Sequence, residues 1–338
     1  MKAYRIISGT NIDGLELHDE KSPALGPNDV RVGIRAVSLN FRDLMFARGV
    51  YLAAIKDPRI PCSDGAGEVI EVGAEVRRFK VGDRVATTFF PRWIDGQPSP
   101  VNTAGALGGQ SDGTLAEEIV LNEESLVSIP AHMDFAEGAT LPCAAVTAWN
   151  SLFVAGNLKA GDSVLLQGTG GVSIHALQLA RAAGLQTIIT SSSDAKLKRA
   201  RELGADATIN YRTTPEWQDE VLRITGGRGV GVVLEVGGQD TLRRSLAATR
   251  LGGVVAVIGI LSGSTFNVDA FPLIAGARQL TGIFVGSRKM FEDLNSLTSH
   301  AKIRPVVDRT FAFDEAREAY QYLASGNHFG KVVVRVGG

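Results

Sequence analysis

Ser163-Val164-Leu165-Leu166-Gln167-Gly168-Thr169-Gly170-Gly171-Val172-Ser173 is the stretch on which the fold turns. A short apolar run stops at two glycines spaced by one residue, and an apolar-periodic segment, Val172–Ala183, follows at once. Strand, glycine turn and helix in that order form the dinucleotide fingerprint. Glycine allows the tight turn and the close approach of backbone to a pyrophosphate, and the helix N-terminus favours its negative charge. The third position, where a small residue lets helix and strand pack, holds Ser173. Gly168, Thr169, Gly170, Gly171 and Val172 are therefore the expected phosphate-binding residues.

The pattern repeats downstream. Apolar strands are read at Ser163–Gln167, Gln186–Thr190, Ala207–Asn210, Val230–Val236, Val254–Ile258 and Gln279–Val285. Between them lie helix-periodic segments at Val172–Ala183, Ala195–Leu203, Glu216–Thr225, Thr241–Thr249 and near Asp269–Ala277. Alternating strands and helices with near-continuous Val, Ile and Leu predict an α/β, doubly wound parallel sheet. Upstream, residues 1 to 130 show short alternating segments broken by Gly, Pro and Asp, which predicts a mostly antiparallel, barrel-like β-domain. The character changes after Pro130, where Phe135 to Ala155 carries apolar residues at helical spacing. The tail from about residue 290 ends in Lys331–Val336 and is expected to return to the first domain.

Size and composition fit this division. A chain of 338 residues exceeds the length at which single cores usually stop growing, and its 44% hydrophobic and 21% charged residues suit a globular protein. Lys plus Arg (35) balance Asp plus Glu (36), so no basic excess points to nucleic acid. The longest apolar run, Leu251–Leu261, is too short to cross a bilayer, and the start lacks the h-region of a signal peptide. A cytoplasmic location is expected. Cys62 and Cys143 are the two cysteines, too few and too far apart for a disulfide framework.

The second strand bears on cofactor choice. An NAD site places Asp or Glu about 20 residues beyond the glycine loop, on the ribose hydroxyls. Here the strand ends Thr190-Ser191-Ser192-Ser193, with Asp194 read as capping the next helix beside Ser193. Ser191 and Ser192 offer hydroxyls, while Lys196, Tyr211 and Arg212 could meet a 2′-phosphate. NADP(H) is expected over NAD(H).

Several further stretches carry a family resemblance. They are Ser38-Leu39-Asn40-Phe41-Arg42-Asp43-Leu44, the run from Ile60 through Cys62-Ser63-Asp64-Gly65 to Val69, Phe79–Val85, Ala139–Trp149 and Gly330-Lys331-Val332-Val333. With the glycine loop they resemble, nearly end to end and in order, the medium-chain dehydrogenase/reductase superfamily, in its zinc-free branch of quinone-oxidoreductase-like and enoyl-reductase-like proteins. The resemblance implies a GroES-like substrate domain from residues 1–130 and 290–338 around a Rossmann domain at 131–289, with the active site in the cleft and a homodimer as the assembly. It implies that Asn40 lies near the nicotinamide, that Lys196 and Tyr211 contact the adenosine phosphate, and that Gly330 and Lys331 border the cofactor.

The departures are as informative. Asn40, Ser63 and Cys143 stand where zinc relatives carry Cys, His and Cys, and the lobe between Ala86 and Ala116 has no cysteine. One thiol cannot replace three protein ligands, so no zinc is expected. Without metal, charge growing on a substrate oxygen needs another partner. Arg42 is the candidate for that partner, Asn40 for holding the nicotinamide amide or the substrate oxygen, and Tyr51 or water for the proton. A structural Arg42–Asp43 ion pair is the competing reading. The expected reaction moves hydride to or from a small carbonyl, enone or quinone. An enoyl-thioester reductase, an alcohol dehydrogenase and a non-catalytic NADPH-binding protein are the alternatives, because the segments Arg48–Asp57, Phe89–Leu107 and Phe284–Phe291 carry no substrate motif.

Overall fold

The structure, a computed structural model, describes residues 1–51, 57–265 and 268–337. Its strands in chain order are β1 (Lys2–Arg5), β2 (Glu16–Asp19), β3 (Asp29–Ser38), β4 (Asp64–Val72), β5 (Arg84–Thr87), β6 (Glu118–Asn122), β7 (Leu126–Ser128), β8 (Ser163–Leu166), β9 (Gln186–Ser191), β10 (Ala207–Asn210), β11 (Val230–Glu235), β12 (Thr249–Val257), β13 (Gln279–Gly282), β14 (Val307–Phe311) and β15 (Lys331–Arg335). The chain divides into two compact units, Met1–Val146 with Gly286–Gly338, and Thr147–Val285. That division lies later than the change of composition at Pro130. The first turn of the helical run, Phe135–Ala139, packs on β3 and β4 and so stays with the first unit. The run is not a single α-helix: Pro142 has no N–H to donate, and Leu141–Ala145 and again Asn150–Ala155 continue as wider π turns.

In the second unit the strands lie parallel in the order β10-β9-β8-β11-β12-β13. Val164, Leu165 and Leu166 of β8 and Val232, Val233 and Leu234 of β11 are completely buried, which explains their unbroken apolar sequence. The chain winds outward from β8 to β10, then returns to place β11 on the other side of β8. That reversal opens a crevice at the carboxyl ends of β8 and β11, the position where open α/β sheets bind ligands. Strand β12 starts at Thr249, earlier than read from sequence, because the Gly252-Gly253 pair masks its first half. A side chain on Gly253 would lie 2.8 Å from the Gly231 carbonyl oxygen, so the sheet requires glycine there. Strand β13 stops at Gly282, short of the expected end, and Val285 takes φ 55°, outside the extended region.

In the first unit the order is β14-β15-β3-β4-β5-β7, with β6 also on β3 and with β1 and β2 forming a separate antiparallel pair. The pairings are antiparallel except β14 with β15. Val30, Val32, Ile34 and Val37 of β3 enter one core with Val332 and Val334 of β15, which is why the apolar tail returns. Three further helices of this unit, Phe41–Ala47, Arg288–His300 and Ala316–Ser325, lie outside the segments read as helical from the sequence. Ser38 pairs with Asp64 on one side and Val333 on the other. The register thereby gathers Asn40, Asp64 and Lys331 at one end of the sheet. Among the described residues no helix is long and apolar enough to cross a membrane.

Candidate functional site

In the second unit the glycine turn has the form the sequence predicts. Gly168 takes φ 71°, and at Gly168 and Gly170 nothing stands within 4 Å of where a Cβ would be. Gly170 has an ordinary φ of −78°, so neither packing nor backbone demands glycine there. What remains is open space over the start of the helix Gly171–Ala182, a cradle that Cβ atoms would fill and that suits a pyrophosphate. Ser173 earns the third fingerprint position by donating its hydroxyl to the Gln167 carbonyl at 2.6 Å, which ties the helix to the strand end. Thr169 is buried in the same turn, and Val172 is half-buried.

The adjoining strand ends are joined to this turn. The Gly168 N–H donates to Thr190 Oγ1 at 3.3 Å, and the Tyr211 N–H donates to the Ser191 carbonyl at 3.1 Å. Gly168, Thr190, Ser191 and Tyr211 therefore follow one another across the carboxyl ends of β8, β9 and β10. Ser193, rather than Asp194, caps the next helix: its hydroxyl accepts the Lys196 N–H, while the Asp194 carboxylate accepts from Asn210 Nδ2 at 2.8 Å. Ser191, Ser192, Lys196 and Tyr211 thus share one corner of the unit. No carboxylate stands on the Ser191–Ser193 turn itself.

The second cluster lies in the first unit. Asn40 starts the helix Phe41–Ala47, and its own N–H is met by Asp43 Oδ2 at 2.8 Å. An N-cap asparagine usually turns its side chain onto its helix. Here Oδ1 instead accepts from the Lys331 ammonium at 2.6 Å, and that ammonium also donates to the Leu39 carbonyl at 2.5 Å. Lys331, implied by resemblance to border the cofactor, is buried and points at Asn40. Gly330 has a local reason to be glycine: its φ is 84°, and a Cβ would lie 2.5 Å from the Val306 carbonyl oxygen.

Asp64, which the sequence reading passed over, completes this cluster. It is fully buried and accepts from Ser63 Oγ at 2.6 Å and from the Cys143 N–H at 3.2 Å. Burial raises its pKa above the ordinary carboxylate value, against the opposing pull of Lys331, Ser63 and Asn40. Burial likewise pushes Asp43 up to about 6 and the Cys143 thiol up to about 12. A visible signal was present for Lys331, which opens a run of three valines, since a charge buried beside such a run needs a partner.

Arg42 stacks its guanidinium 4.1 Å from the Phe89 ring centre and 5.2 Å from that of Phe46, and Nη2 donates to the Leu107 carbonyl at 2.5 Å. Its directed contacts thus run to Leu107 and the two rings, while its charge offsets part of the rise that burial imposes on the Asp43 pKa. Tyr51 packs on Phe46, with 4.5 Å between ring centres. Of the segment Arg48–Asp57, residues 52–56 lie outside the described residues.

The positions that match zinc ligands have a donor set ill suited to the metal. The Asn40 oxygen faces an ammonium, the Ser63 hydroxyl is committed to Asp64, and a single thiol remains.

Comparison with known proteins gives the lineage. Residues 26–131 match the alcohol dehydrogenase GroES-like domain and residues 171–300 the zinc-binding dehydrogenase family. A zinc-type alcohol dehydrogenase-like protein of Schizosaccharomyces pombe is 44% identical over 318 residues, 92% of each chain. The chain belongs to the medium-chain dehydrogenase/reductase superfamily, in its quinone-oxidoreductase-like branch. Members are NAD(P)-dependent oxidoreductases with a Rossmann and a GroES-like part, and this chain is one of them. A quinone oxidoreductase of Pseudomonas aeruginosa is 34% identical over 333 residues, 95% of each chain. The crystal structure of an NAD-dependent alcohol dehydrogenase matches at 32% identity with a TM-score of 0.89, covering all of both chains. The segment that carries the zinc-binding name, 171–300, contains none of Asn40, Ser63 and Cys143.

Proposed function

We propose that this superfamily member is a zinc-independent oxidoreductase that prefers NADPH and transfers hydride to or from a small carbonyl, enone or quinone. The observation that carries the reading is the Lys331–Asn40 hydrogen bond: a buried ammonium occupies the oxygen of a side chain at a ligand-matching position. A second cation there would meet repulsion with no thiolate pair to offset it.

NADPH, when bound, supplies the hydride. Gly168, Thr169, Gly170, Gly171 and Val172 would receive its pyrophosphate at the helix start, and Ser191, Ser192, Lys196 and Tyr211 its 2′-phosphate. One relative's structure bears an NAD-dependent name, so the preference proposed here rests on this chain's own Ser191–Ser193 turn and its lysine. Asn40, fixed by Lys331, keeps its amide edge in one orientation to hold a carboxamide or substrate oxygen. Arg42, held flat by Phe89, offers N–H groups to an oxygen gaining negative charge. A guanidinium is a donor of hydrogen bonds rather than of protons, so Tyr51 or water delivers the proton.

Elemental analysis of purified protein should find zinc well below one atom per chain, and a strong chelator should leave turnover unchanged. Stoichiometric zinc whose removal abolishes activity would refute metal independence.

The unit Thr147–Val285 also supports a homodimer. Strand β13 is an open sheet edge, and Leu280 and Phe284 are exposed near it, together with Phe271 (72%) and Ile274 (78%) on the preceding segment. An apolar open edge favours pairing with a second copy. Light scattering at micromolar concentration should give twice the 35.8 kDa chain mass, and the monomer mass alone would contradict it.

A further inference from the structure

Glu235 closes β11 and is fully buried, at the carboxyl end of the strand beside β8. A buried carboxylate persists only when its lone pairs are met. Oε1 accepts the N–H groups of Gly237 at 2.7 Å and Gly238 at 2.9 Å and the Thr241 hydroxyl at 2.5 Å. Oε2 accepts from Gln167 Nε2 at 2.9 Å and from the Ser245 hydroxyl. Gln167 in turn accepts the N–H groups of Val236 at 3.1 Å and Gly237 at 3.3 Å on its own oxygen. Both ends of the Gln167 amide are therefore engaged across the gap between two strands, and the next residue is Gly168.

We infer that Glu235, acting through Gln167, is a positioning residue for the pyrophosphate-binding turn. The inference rests on the reading of Gly168–Val172 as that turn. Glu235 holds the turn after β11, from Val236 to Thr241, while Gln167 anchors the turn after β8. The pair fixes the distance between the two lips of the crevice at the point where the strand order reverses. An acid with a purely structural role would need neither the amide bridge nor a bridging residue that stands directly before Gly168. The acid suits the task by geometry: its two oxygens accept from all five donors at once, whereas a carboxamide turns two N–H groups against them.

Calorimetric titration of the wild type, Glu235→Gln and Gln167→Met with two probes tests this. ADP-ribose carries a pyrophosphate, and adenosine 2′-phosphate does not. Glu235→Gln should weaken ADP-ribose by about tenfold or more while adenosine 2′-phosphate changes by less than about twofold. Gln167→Met, which leaves the carboxylate its other four donors, should move ADP-ribose in the same direction by less. Unchanged ADP-ribose affinity in both folded variants, or equal losses for the two probes, would overturn the positioning role. Wild-type protein that fails to bind ADP-ribose would instead overturn the reading of the glycine turn itself.

Discussion

Replacing Lys331 by Met is expected to destabilise the unit Met1–Val146 with Gly286–Gly338 by about 3–5 kcal/mol, and to lower kcat much more than cofactor affinity. The ammonium donates to the Leu39 carbonyl and to Asn40 Oδ1, and it is the strongest charge opposing the desolvation of Asp64. Methionine fills similar space but leaves Asp64 as a buried acid with no cation and Asn40 free to turn. Adding Asp64→Asn should recover part of the stability, because the uncompensated charge goes with it. It should not recover kcat, because Asn40 remains unheld. Urea unfolding and steady-state kinetics of the single and double variants check both statements. A loss below about 1 kcal/mol for Lys331→Met, the size of an exposed pair, would show that the cluster is not organised around this charge.

Lys196→Ala should weaken NADPH by about tenfold, since a charge-assisted contact of roughly 1.5–3 kcal/mol, reduced by partial exposure, is comparable with the roughly 1.4 kcal/mol of one decade. NADH lacks the 2′-phosphate and should be almost unaffected. Asp at position 191 or 192 should shift preference towards NADH, by repelling the phosphate while accepting from the ribose hydroxyls. Fluorescence titration of both cofactors decides it. Equal changes for NADPH and NADH in Lys196→Ala would assign the lysine to helix solvation alone.

The parallel sheet was legible because its central strands β8, β9 and β11 are buried on both faces and preceded by glycines, and the extents read from sequence for β8 to β11 differ from the observed ones by a residue at most. The glycine turn was legible for the same reason, together with Ser173 at its third position. What periodicity could not reveal was where side chains point. Lys331 sits before three valines, and nothing in that string tells whether the ammonium faces a cofactor or Asn40. The Arg42–Asp43 pair posed the same difficulty: adjacent residues of opposite charge invite an ion pair, whereas the fold directs Arg42 to Leu107 and two rings and Asp43 to the Asn40 N–H. Glu235 was hidden inside a strand counted as apolar, although an acid in such a strand signals a dedicated set of donors. The helix Phe41–Ala47 escaped because two turns contain too few residues to establish a period.

The most direct measurement of the central claim is oxidation of NADPH and of NADH by chelator-treated protein, against a panel containing a saturated aldehyde, an enone, an enoyl thioester and a quinone. Turnover is expected with the aldehyde, enone or quinone, faster with NADPH than with NADH, and undiminished by removal of metal. Turnover that returns only with added zinc, or that runs faster with NADH, would contradict it.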